Sequence, residues 1–201
     1  MRTSNSVVVG FCVVFGVVSR AAYGQAPAPT GSSTATGVQA ELIRIMDDAE
    51  TKLTKLAQAI PAEKYTWHPA KDARSVSEVF LHVAGGNYFL SSKFGAEFPA
   101  DVKREDFEKS TTDKPKVMDA LNRSFAHAKQ AVMKLTDADL EKTTQWFGGG
   151  QVTYRYVAIA LGAHQHEHLG QSIAYARSIG VVPPWTEEQQ RRQKQQPKPK
   201  T

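Results

Sequence analysis

Four stretches of this 201-residue chain repeat apolar residues every third or fourth position, and none alternates them every second. A helix turns once in about 3.6 residues, so such a repeat lines one face of a helix and leaves the other wet. The first stretch, residues 39–60, carries Leu42, Ile45, Met46, Ala49, Leu53, Leu56 and Ile60 on one side and Glu41, Asp48, Lys52 and Lys55 on the other. Pro61 stops it. The second opens with Ser75-Val76-Ser77-Glu78, an S-x-x-E capping box in which the two side chains satisfy free backbone donors. Val76, Val79, Phe80, Val83, Asn87 and Leu90 follow as its stripe. The third begins near Pro115, a good first-turn residue, with Val117, Leu121, Phe125, Ala128, Val132 and Leu135 facing inward. The fourth, residues 152–179, ends at Gly180 and Pro183-Pro184. A polar crossover at 94–113, with a short helical piece near 102–107, separates the second and third. Four such stripes in one ordinary-sized domain predict an all-α four-helix bundle with a long crossover.

The ends are of a different character. Arg2 precedes an apolar run of about a dozen residues, Val7 to Val18, which suits a signal peptide and is too short to span a bilayer. Cleavage after Ala22-Tyr23-Gly24 or within Gly24-Gln25-Ala26 predicts a signal peptide at 1–24 and an exported protein, periplasmic or extracellular, with no stable membrane anchor. Cys12, the single cysteine, leaves with that segment, which excludes disulfides, thiolate ligands and a cysteine nucleophile. Residues 25–38, rich in Pro, Ala, Gly, Ser and Thr, read as a flexible leader, 39–188 as the bundle domain, and 189–201 as a disordered basic tail. The formal charge of +5 loses Arg2 and Arg20 with the signal, and much of the rest lies in the tail. No basic patch with interleaved aromatics remains, so nucleic acid is not an expected partner.

Chemistry concentrates on the fourth helix. Val157, Leu161, His164, His168, Gln171 and Tyr175 form one stripe, apolar at one end and polar at the other. His164 and His168, at i and i+4, stack about 6 Å apart and can share one metal ion. His82, three residues after Val79 on the second helix, points into the apolar stripe and is the best third ligand. Gly85 and Gly86 beside it mark either a close helix approach, room for a ligand, or a locally weak helix. Three nitrogens would leave positions open for water or substrate. The same residues also fit a bundle whose histidines hydrogen-bond without a metal. His68, His127 and His166 are expected to be solvated or hydrogen-bonded, Glu167 to lie on the surface, and Trp146-Phe147-Gly148-Gly149-Gly150 to be a flexible loop.

Taken together, three pieces resemble the DinB/YfiT-like family of metal-dependent four-helix-bundle proteins. These are Trp67-His68-Pro69 with Ser75 through Ala84, His164-x-x-x-His168-Leu169-Gly170-Gln171, and Tyr175 through Gly180 with Pro183-Pro184. The resemblance spans nearly the whole domain and implies metal ligands at His82, His164 and His168. Where the family often has a second histidine just before the last ligand, this chain has Glu167. The resemblance implies a divalent transition metal, zinc or nickel first and iron next, and a homodimer. It points to a metal-dependent hydrolase or transferase acting on a small molecule, with a non-catalytic metal-binding or protein-interaction module of the cell envelope as the alternative. Asn87, Tyr88, Gln171 and Tyr175, near the ligands on their helices, are expected to touch the ligating histidines or the substrate.

Overall fold

The computed structural model describes residues 37–195. The expected signal peptide, nearly all of the leader and the last six residues of the expected tail lie outside them. Four long helices form the bundle: α1 (Gly37–Ala59), α2 (Val76–Ser92), α3 (Lys114–Met133) and α5 (Tyr154–Ser178). A short α4 (Asp137–Leu140) and a terminal α6 (Pro184–Gln195) complete the helices. Around the bundle α1 touches α3 and α5, and α2 touches the same two, so the consecutive helices α1 and α2 stand across a diagonal. Among the described residues no helix is long and apolar enough to cross a membrane.

The local signals act as their chemistry dictates. Ser75 Oγ accepts from the Glu78 N–H at 3.3 Å and Glu78 Oε2 accepts from the Ser75 N–H at 2.6 Å, closing the capping box of α2. Asp113 caps α3, with Pro115 in its first turn. Ile45, expected inside, lies at the edge of its stripe and is 45% exposed.

Three elements differ from the expectation. The glycine loop is the turn of a small antiparallel hairpin, β1 (Thr143–Gln145) with β2 (Gln151–Thr153), in the register Thr143↔Thr153. Gly148 and Gly149 take φ of 75° and 96°, which a residue with a Cβ rarely adopts. The crossover holds its helical turn at Phe107–Lys109, not at 102–107. Residues 189–195 of the expected disordered tail are helical, because α6 needs no apolar stripe to satisfy its own backbone. It is built of good helix formers, with Pro184 at its start, Glu187 in its first turn and Arg192 and Lys194 in its last.

The core comes in two apolar clusters. One gathers Leu53, Leu56, Tyr65, Phe80, Leu121 and Phe125; the other gathers Leu42, Met46, Leu90, Val132, Val157 and Leu161. Between them runs a fully buried polar layer. Gln165 Nε2 donates to Asn87 Oδ1 at 2.9 Å, and Asn87 Nδ2 donates to Ser124 Oγ at 3.0 Å, joining α5, α2 and α3.

Candidate metal centre

The three histidines on the α2 and α5 stripes meet where those helices pack. One ligand atom from each of His82, His164 and His168 lies within 4.8 Å of the others. His82 Nε2 and His164 Nε2 are 3.2 Å apart, close to the separation of about 3.3 Å that two nitrogens take on a tetrahedral zinc ion. The other ring nitrogens explain why these atoms face one another.

His82 is held from the crossover. Its Nδ1–H donates to Glu108 Oε1 at 2.5 Å, and Arg74 Nε donates to Glu108 Oε2 at 2.7 Å. A carboxylate can only accept, so Nδ1 carries the hydrogen and Nε2 presents its lone pair inward. Burial works to raise the Glu108 pKa, but the hydrogen bonds from Arg74 and His82 outweigh it and hold the carboxyl below its ordinary value. The turn that delivers Glu108 begins at Asp106, the one non-glycine residue with positive φ among those described (56°). Aspartate tolerates that left-handed conformation better than most residues.

His168 is held along its own helix. Its Nδ1–H donates to Gln171 Oε1 at 2.7 Å, and Gln171 Nε2 donates to the Tyr175 hydroxyl at 3.2 Å. Trp67 stacks edge-on against Tyr175 with ring centroids 5.4 Å apart. His164 has no such holder; its Nδ1 is buried without a hydrogen-bond partner. Its ring instead presses its Cε1 against α2, where a Cβ on Gly86 would fall 2.2 Å from that atom. Gly86 is therefore a close-approach residue.

Electrostatics keep the α5 pair neutral. Burial, with the neighbouring His168, His82 and Arg74, pushes His164 down to about 4 against the opposing pull of Glu108. Burial likewise lowers His168, only partly opposed by its bond to Gln171. Neutral imidazole is the ligand form. Two lone pairs facing each other at 3.2 Å repel unless a hydrogen or a metal ion lies between them. The donor set thus fits a metal ion, and imidazole nitrogens suit zinc, nickel, copper and iron.

Of the residues named from sequence, the structure brings together His82, His164, His168, Gln171 and Tyr175. Asn87 and Tyr88 are placed elsewhere and touch none of His82, His164 and His168. Asn87 serves the buried polar layer, while Tyr88 packs against Phe98, Phe107 and His127. The reason is angular: five or six residues beyond His82 is about 140° or 240° around the helix, away from the site. His68 and His166 donate to backbone carbonyls of Ala70 and Gly162, and Glu167 is exposed, as expected of them. His127 is half-buried, with Nε2 unpartnered. Arg74 and Glu108 went unread because only the tertiary path of the crossover brings Glu108 to Arg74 and α2.

A cavity of about 500 Å³ opens over His82 and His164, walled by Phe89, Phe98, Phe107, Trp146 and Phe147. On the other side of Glu108 a polar cleft runs past Arg74, Lys109, Gln171 and Tyr175.

The fold has solved relatives. A DinB-like protein from Bacillus cereus superposes with a TM-score of 0.60 at 19% identity, over 70% of this chain and 94% of that one. YfiT from Bacillus subtilis, described as a probable metal-dependent hydrolase with an unusual four-helix bundle topology, gives 0.57 at 14% identity, over 76% and 93%. The mycothiol-dependent maleylpyruvate isomerase gives 0.54 at 13% identity, over 65% of this chain and 59% of its own. At such identities the likeness establishes the fold alone. No curated protein matches the chain in sequence. The model of the DinB superfamily matches residues 45–172, well over half of the chain, and the chain belongs to that superfamily.

Proposed function

We propose that this chain is an exported metalloprotein that holds one divalent transition metal on His82, His164 and His168 and acts on a small molecule as a hydrolase or transferase. Zinc or nickel is the first choice of metal and iron the next. The observation that carries the reading is the convergence of three imidazole nitrogens within 4.8 Å, those of His164 and His168 on rings kept neutral, beside a cavity that His82 and His164 line. A metal there supplies Lewis acidity toward a carbonyl, a lowered pKa for bound water, or a seat for a thiolate. Glu108 fixes the tautomer of His82, Gln171 fixes that of His168, and the aromatic walls give the open side an apolar lining. The descriptions of YfiT as a probable metal-dependent hydrolase and of the isomerase as mycothiol-dependent support a catalytic role. The apolar run near the N-terminus and the single cysteine within it support export.

The test is the metal content of the full chain, purified without a histidine tag, beside that of His168→Ala. About one equivalent in the parent and a large loss in a folded variant are expected. Unchanged metal in His168→Ala would remove the ligand assignment.

A further inference from the structure

The walls of the cavity over the histidines are more specific than a shelter for metal requires. Phe89 and Phe147 stack with ring centroids 5.5 Å apart, and Trp146 meets Phe147 edge-on at 4.7 Å. Phe107 reaches in from the crossover, and a Cβ on Gly85 would lie 3.4 Å from its ring. Two of these side chains come from the small hairpin, whose tight glycine turn sets them over the mouth. Phe147 is 59% exposed although it is large and apolar, so much of its ring surface is uncovered. A volume of about 500 Å³ falls within the range of about 300–1,000 Å³ typical of small-molecule sites.

Two cations stand at this aromatic wall, and only one lines the cavity. Lys93 Nζ lies 5.1 Å over the Phe89 ring and 5.8 Å over the Phe147 ring and donates to the Gln145 carbonyl. The Arg104 guanidinium lies 4.2 Å over the Phe98 ring, lines the cavity, and among the described residues joins no ion pair. The other lining charge, Glu108, is already engaged by His82 and Arg74. The cavity therefore offers apolar area, aromatic faces and one uncommitted positive charge.

We infer that the cavity takes an aromatic compound bearing an anionic group, its ring among Phe89, Phe107, Trp146 and Phe147 and its charge toward Arg104. The assignment rests on the metal reading only for which end of the compound reacts. Ring edges and faces pair with a bound ring in the offset or edge-on manner that such quadrupoles favour. An anionic head gains a planar guanidinium with free donors. Both Arg104 and Phe147 are exposed, so replacing them leaves the core untouched.

Calorimetric titration of the full chain, metal-free and zinc-loaded, with 3-phenylpropionate, propionate and 3-phenyl-1-propanol tests the assignment. 3-Phenylpropionate is expected to bind at least about tenfold more tightly than propionate, since burying a ring gains well over 1.4 kcal/mol. Phe147→Ala should weaken both phenyl compounds about fivefold. Arg104→Gln should weaken only the carboxylate, by about two- to fivefold for a half-exposed pair. Equal affinities for 3-phenylpropionate and propionate, or indifference to both substitutions, would overturn the assignment while leaving the metal centre standing. A chain that takes up no zinc but binds the phenyl compounds in this pattern overturns the metal reading and keeps the cavity.

Discussion

A Cβ at Gly86 would lie 2.2 Å from Cε1 and 2.8 Å from Nδ1 of His164. The ring thus occupies the space that any other residue would fill. Replacing Gly86 by Ala has two opposed effects on the fold: about 1 kcal/mol gained in helix propensity, and strain that the ring relieves by swinging away. The expected outcome is a melting temperature within a few degrees of the parent and a metal affinity at least about tenfold weaker. Zinc titration against a chromophoric chelator reads this, and an unchanged affinity would mean that the ring position is immaterial.

Glu108 sets which nitrogen of His82 faces the site. Removing such an outer carboxylate costs about 10–100-fold in metal affinity, and Glu108→Ala is expected in that range. Glu108→Gln keeps an acceptor for Nδ1–H while losing the charge, so it should fall between the parent and the alanine variant. If both variants bind zinc as the parent does, the hydrogen bond does not orient the ligand.

The metal-free protein should lose stability on acidification. A free histidine titrates near 6.5, whereas burial, then His168, His82 and Arg74, take His164 to about 4, with Glu108 pulling the other way. Between these values the unfolded chain binds more protons than the folded one. Stability present above about pH 6.5 is therefore lost as pH falls toward about 4. Urea midpoints of chelator-treated protein should drop across that window, and His164→Asn should flatten the drop. A midpoint independent of pH there would contradict the burial argument.

Asn87→Ala leaves the Gln165 amide N–H without its partner in a fully buried layer and takes one of the two bonds of the Ser124 hydroxyl, which still donates to the Leu121 carbonyl. An orphaned buried polar group costs about 1–3 kcal/mol, so a loss of about 2–4 kcal/mol is expected in chemical unfolding. Metal stoichiometry should survive if the variant still folds, because Asn87 touches no ligand.

How far these features could be read from the chain depended on their span. Helices declare themselves over many turns, so the stripes of Leu42 to Ile60 and Val117 to Leu135 were legible, as was the Ser75–Glu78 box. Strands of three residues give no usable alternation, so Thr143–Gln145 carries no signal of its own and Val152 and Thr153 read as the start of the fourth helix. In the site, His168, Gln171 and Tyr175 share one helix face, and helical arithmetic alone groups them. Asn87 and Tyr88 show the limit of proximity along a chain: they are near His82 in number but not in angle. Glu108 lies 26 residues from His82 and reaches it through the left-handed turn at Asp106. No local pattern announces such a path.

The polar layer of Asn87, Ser124 and Gln165 also acts as a ruler. The two bonds that join Gln165 to Asn87 and Asn87 to Ser124 form in only one axial alignment of α2, α3 and α5. Sliding one helix by a turn would move it about 5.4 Å and set an amide against leucine. That displacement exceeds the 4.8 Å within which the three histidine nitrogens gather. The chain therefore measures its metal-binding distance in the dry interior, with groups that never meet the metal.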